Sequence, residues 1–345
     1  MSQPPPRTPI TREGVEAAYR FLLGRPPESE KAYEYGLSAG SVETLRRWIL
    51  QGPEFAARMR RDIPHALRRW MLEEMQATPA EAADAAAEPA AEGPPRIVFL
   101  HIEKTAGTAI RNAIEPLLGD RAIWDLDRDG RPGNAAPEAL AACGLVAGHF
   151  TITDARHVPG PRRIFTVLRE PRERLLSLCH YYARHTEEGA AVRGREVMRI
   201  ARGCTLEEFL AHPDPLVRGS VQNGMTCMLA GDYRPVGPDA YARPWEGPRA
   251  AITGPQLLAR ALANLFALDF IGFVDRLEED RATLMAAIGL PDPGAFPRVN
   301  TKALVNERLA ARPEPEITPR AAALIEAATD LDRPLYAMAR RHRGL

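Results

Sequence analysis

Three short stretches of this 345-residue chain carry side chains suited to handling anions and protons. The first is His101-Ile102-Glu103-Lys104-Thr105-Ala106-Gly107-Thr108, where the apolar run RIVFLHI (96–102) meets a turn of small residues and a helix start. A strand-turn-helix of this kind aims free backbone N–H groups and the positive end of a helix dipole at one point, where an anion can sit. Gly107 admits close approach of the backbone, while the Thr105 and Thr108 hydroxyls and the Lys104 ammonium add donors. It is not a Walker A loop, because Lys104 precedes Gly107 and the upstream glycine is missing. The second stretch is Thr166-Val167-Leu168-Arg169-Glu170-Pro171, continuing to Ser177. Pro171 suits a first helical turn, and an arginine fork beside a serine hydroxyl suits a phosphate. The third is Gly148-His149-Phe150, whose imidazole can take a proton from a hydroxyl near neutral pH.

Lysine usage sharpens the first stretch. Of 45 basic residues only Lys31, Lys104 and Lys302 are lysines. In an arginine-rich chain, a lysine in the anion loop suits a task that needs a compact charge on a flexible stem. The other histidines compete less well with His149. His101 falls in the apolar run and reads as packed, His157, His180, His185 and His212 lie in polar contexts, and His65 and His342 lie outside the core pattern.

The elements that must position these groups follow from periodicity. Arg96–Ile102, Gly144–His149, Arg163–Leu168 and Phe270–Phe273 are short apolar runs, as buried parallel strands require. Helices are expected from about Thr108 to Leu118, Pro171 to His185 and Leu277 to Ile288. Strands alternating with helices predict an α/β fold, a parallel sheet covered on both faces, with ligands at the carboxyl ends of its strands. All three motifs fall at such ends. Ahead of this domain (96–345) lies a helical stretch, 10–75, in which Val15, Ala18, Tyr19, Leu22 and Leu23 recur at helical spacing and Leu45, Trp48, Ile49 and Phe55 repeat the pattern. Residues 76–95 (QATPAEAADAAAEPAAEGPP) have almost nothing to bury and read as a linker.

Composition narrows the function classes. With 45 basic and 45 acidic residues the net charge is zero, which excludes a globally basic nucleic-acid binder. No apolar run approaches the roughly 18 residues of a membrane span, and the Pro-rich start is not a secretion signal. Cys143, Cys179, Cys204 and Cys227 form no C-x-x-C pair, hence no zinc signature or disulfide framework, and a cytoplasmic location is expected.

Taken together, H-I-E-K-T-A-G-T, G-H-F and T-V-L-R-E-P-R-E-R-L-L-S with Tyr181-Tyr182 resemble the carbohydrate sulfotransferases related to heparan sulfate 2-O-sulfotransferase. FIGFVDRLEEDRATLMAAIGL (270–290) and Val299-Asn300-Thr301-Lys302 look like later blocks of that family, so the resemblance spans about 96–310. It implies a P-loop-like fold, the sulfuryl donor 3′-phosphoadenosine 5′-phosphosulfate, a glycan or glycolipid acceptor and no metal. By this resemblance Lys104, Thr105, Ala106, Gly107, Thr108 and Ala109 would hold the 5′-phosphosulfate. Arg169 and Ser177 would hold the 3′-phosphate, Asn300 and Lys302 would approach the nucleotide, and His149 would be the base. Glu103 stands where the family often has Pro and is expected to point outward. The A-Y-R-F-L-L-G-R-P-P start resembles a small helical domain found beside bacterial glycosyltransferases, consistent with a soluble bacterial protein; a generic packing module without chemistry is the favoured reading of it, and a protein partner the alternative. The region 186–260 is expected to shape the acceptor cleft: Arg184, Arg193, Arg195, Arg199 and Arg202 either meet an acidic glycan or, interleaved with Glu187, Glu188 and Glu196, form a solvated face. Two other classes remain open: a P-loop-like kinase using ATP, and a catalytically decayed interaction protein.

Overall fold

A computed structural model describes residues 10–23, 25–41, 44–45, 48–49, 54, 95–125, 129–193, 196–245, 247–297 and 308–345. Two compact units make up the chain: 1–78 with Ala337–Leu345, and Pro79–Tyr336. In the first, α1 (Arg12–Leu23) buries Val15, Tyr19 and Leu23, one per turn. Helix α2 (Glu30–Leu37) starts at Ser29, whose hydroxyl accepts from the Ala32 N–H, and brings Gly36 against Val15 so closely that a Cβ would lie 2.5 Å from the valine. Phe55, His65 and 76–94 of the expected linker lie outside the described residues.

The second unit holds a five-stranded parallel sheet. Its strands are β1 (Arg96–Leu100), β2 (Ala122–Asp125), β3 (Cys143–Gly148), β4 (Arg162–Leu168) and β7 (Phe270–Phe273), in the order β2-β3-β1-β4-β7. A separate antiparallel hairpin joins β5 (Arg234–Gly237) to β6 (Ala240–Ala242). The helices of this unit are α3 (Gly107–Ile114), α4 (Pro137–Ala141), α5 (Ile152–Ala155), α6 (Pro171–Ala183), α7 (Glu187–Arg193), α8 (Glu196–Gly203) and α9 (Leu206–Leu210). They continue with α10 (Pro215–Val221), α11 (Gly224–Leu229), α12 (Gly254–Leu265), α13 (Arg281–Ala287), α14 (Pro319–Ala328) and the start of α15 (Asp332–His342). The helix expected from Leu277 begins only at Arg281, after a 3₁₀ turn at Val274–Arg276.

The apolar strand runs are explained by two cores, one on each face, because successive strand side chains point opposite ways. Ile97, Phe99, Leu145, Ala147, Phe165 and Val167 pack under α3 and α13, with the Phe99 and Phe165 rings stacked at 4.5 Å. Val98, Leu100, Val146 and Ile164 pack under α4 and α5. The chain is therefore α/β, with a P-loop-like parallel sheet covered by helices on both faces. A third apolar cluster joins α6, α7, α8, α9, α10 and α14.

Strand order decides where a ligand can enter. From central β1 the chain crosses to β2 on one side, whereas from β3 it crosses back over β1 to β4 on the other. Connections leaving in opposite directions open a crevice at the carboxyl ends of β1 and β3. Among the described residues no helix is long and apolar enough to cross a membrane.

Candidate functional site

The loop after β1 enters the crevice with two non-glycine residues in left-handed backbone, Lys104 (φ 71°) and Ala106 (φ 64°). Such conformations cost an L-residue energy and persist where surrounding contacts impose them. Here the contacts are visible. Thr105 is fully buried and donates its hydroxyl to the Ile102 carbonyl at 2.8 Å, closing the turn beneath the loop. The Tyr182 hydroxyl donates to Glu103 at 2.8 Å, and the Lys104 ammonium sits 4.0 Å over the Tyr181 ring. The adjacent tyrosines of α6 thus hold adjacent residues of the loop.

Helix α3 begins directly from Ala106 and has no side-chain cap. By contrast α5, α9 and α12 each carry a capping box. An α-helix leaves its first N–H groups without intrahelical partners, so those of Gly107, Thr108 and Ala109 are available to an anion. Gly107 is dictated by packing as well as by approach: a Cβ there would lie 1.9 Å from the His101 ring.

His149 follows the end of β3. Its Nδ1 lies 2.6 Å from the His101 carbonyl oxygen. A carbonyl only accepts, so Nδ1 carries the proton and Nε2 is left with the lone pair that a general base needs. The His101 ring stands 4.4 Å from that of His149 and 5.2 Å from Phe99. Burial chiefly, and then its histidine neighbour, push the His101 imidazole well below the ordinary histidine range. Burial also lowers the Lys104 ammonium to about 8; Glu103 opposes this, while Arg169 and Arg184 add repulsion.

From β4, Arg169 reaches the same space with its Nε donating to Glu173 at 3.3 Å. Ser177 and Tyr181, one turn apart on α6, complete that wall.

These groups line one cleft of 540 Å³, within the range of small-molecule sites. Lys104, Ala106, Gly107, Thr108, Ala109, His149, Arg169 and Ser177 all lie on its walls. The structure corrects three expectations. The Thr105 hydroxyl faces the Ile102 carbonyl rather than an anion, so only its backbone belongs to the loop. Glu103 does not point outward; it lines the cleft under Tyr182. His101 lies just beyond β1 rather than within the strand; its ring is packed against Phe99 and Gly107, and the residue also borders the cleft. Among the described residues of the stretch 186–260 only Met198 reaches the walls, and Arg199 and Arg202 pair with Glu187 instead. Arg184 is buried and donates to the Ala310 carbonyl at 2.9 Å. Asn300, Lys302 and Arg195 lie outside the described residues.

Sequence reasoning passed over Arg111, Asn112, Glu115 and Asp125, which line the remaining wall. Arg111 stands one turn beyond Gly107 on α3, a spacing that could have placed it. Asp125 ends β2, a four-residue strand too short to announce itself. Among the described residues no group of three or more His, Cys, Asp or Glu side chains could hold a metal ion. No protein-family model matches the chain, and no curated protein matches it.

Proposed function

We propose that this protein is a sulfotransferase that moves a sulfuryl group from 3′-phosphoadenosine 5′-phosphosulfate to an acceptor hydroxyl of a carbohydrate-type compound. One observation carries the reading: a loop of free amides with a single ammonium, an arginine–serine pair and a histidine whose Nε2 keeps its lone pair line the same cleft. When bound, the donor supplies a sulfuryl group on a phosphate leaving group. The amides of Gly107, Thr108 and Ala109 and the Lys104 ammonium hold the anionic end and offset the charge that grows on the departing oxygen. Arg169 and Ser177 hold the 3′-phosphate.

His149 Nε2 accepts the acceptor's hydroxyl proton while that oxygen bonds to sulfur; the sulfur–oxygen bond to phosphate breaks, and its electron pair stays with the phosphate. The His101 carbonyl fixes the tautomer, and the depressed basicity of the His101 ring leaves His149 as the histidine that takes the proton. A cytoplasmic location and a protein partner for the amino-terminal helices belong to the same proposal.

Calorimetric titration of purified protein with 3′-phosphoadenosine 5′-phosphate and with ATP, each with and without magnesium, tests the reading. The desulfated nucleotide is expected to bind more tightly and without the metal. Tighter, magnesium-dependent ATP binding would favour a kinase, and binding of neither would leave an interaction protein.

A further inference from the structure

Strand order fixes the sequence of groups across the cleft mouth. Neighbouring strands lie about 4.8 Å apart. Asp125 at the end of β2, His149 after β3, the Lys104 loop after β1 and Arg169 after β4 therefore follow one another in that order. If the loop and Arg169 hold the donor, His149 stands on its far side, and a hydroxyl presented to His149 brings the rest of its molecule over β2.

That wall has a definite electrostatic character. The Arg111 guanidinium is paired with Asp125, and Glu115 approaches it at 4.0 Å. One guanidinium thus faces two carboxylates, a net negative wall, and Asn112 beside them offers an amide. The other cationic side chains among the described residues of the cleft, Lys104 and Arg169, belong to the donor's phosphates. A carboxylate or sulfate on the acceptor would meet like charge here, a device that rejects wrong partners. Hydroxyls, in contrast, can donate to the carboxylates and exchange hydrogen bonds with the amide, and an amine is drawn in.

We infer that Asp125, Glu115, Arg111 and Asn112 form the acceptor subsite and select a hydroxyl compound without acidic groups, neutral or amino-bearing; this rests on the sulfuryl-transfer reading. The test measures transfer of labelled sulfate from the donor to methyl glucoside, methyl glucosaminide and methyl glucuronide. In the wild type, kcat/KM for the first two should exceed that for the glucuronide by at least about tenfold. Releasing Arg111 with Asp125→Ala should shift that ratio toward the glucuronide by about tenfold, and the isosteric Asp125→Asn should shift it the same way if Asp125→Ala does not fold. A wild-type preference for glucuronide, a ratio unmoved in the folded variant, or no transfer to any of the three by protein that binds the nucleotide would each overturn the inference. Failure of 3′-phosphoadenosine 5′-phosphate to bind would instead remove the sulfotransferase reading itself.

Discussion

Lys104 and His149 divide the proposed chemistry between them, and their variants should separate. Lys104→Ala removes the loop's side-chain cation and should lower kcat by about 10²–10³-fold with weaker nucleotide binding. Lys104→Arg should restore little, because a planar fork cannot follow the departing oxygen as a compact ammonium on a flexible stem can. His149→Ala should lower kcat by about 10²–10⁴-fold while calorimetry finds nucleotide affinity retained. The lowered Lys104 basicity gives a pH signature. Below about 8 the free protein carries the ammonium and binds nucleotide fully; as pH rises through that value affinity falls, and binding takes up a proton, visible as a buffer-dependent enthalpy. Thr105 supplies a contrast. Thr105→Val strands the Ile102 carbonyl in the interior and should cost about 1–3 kcal/mol of stability in denaturant unfolding, whereas Thr105→Ser keeps the bond and should cost far less.

At the scale of elements, the union of β1, its loop and α3 depends on one missing side chain. Gly107→Ala places a methyl against the His101 imidazole and should abolish nucleotide binding; adding His101→Ala removes that ring and should recover much of the affinity. Central β1, β3 and β4, and β7 on the far side, were legible as unbroken apolar runs because both faces of each are covered. Strand β2 was not. Its four residues, AIWD, are half-exposed at the sheet edge, so no continuous run marks them, and the β5–β6 hairpin is masked by Pro235 and Gly237. The same difference governs the site. Residues on the loops after β1, β3 and β4 could be read from local order, since each motif is contiguous. Glu103 could not, because its setting is decided by Tyr182, 79 residues away, and the Arg111–Asp125 pair needed the position of β2.

In the sheet-bearing unit as a whole, a buried polar knot ties distant segments together. Asp332, fully buried, accepts from the Thr226 N–H at 2.8 Å and hydroxyl at 2.7 Å, with the Arg174 guanidinium 3.9 Å away. Asn223 donates to Asp330 at 2.7 Å and accepts from the Leu331 N–H at 3.0 Å. Arg174 lies on α6, between Arg169 and Ser177, so the knot also fixes the helix carrying the proposed 3′-phosphate wall. Removing one partner of a buried ion pair leaves the other charge uncompensated, so Asp332→Ala should lower unfolding free energy by about 3–5 kcal/mol.

Because the cleft draws on segments from Phe99 to Val274, no contiguous stretch of chain contains it. A ligand gripped there can engage only chains whose tertiary assembly is finished. Heating the protein with desulfated nucleotide at a hundred times its dissociation constant should therefore raise the melting temperature in step with about 2.7 kcal/mol of added stability, turning a simple thermal scan into a gauge of correct assembly for every variant described above.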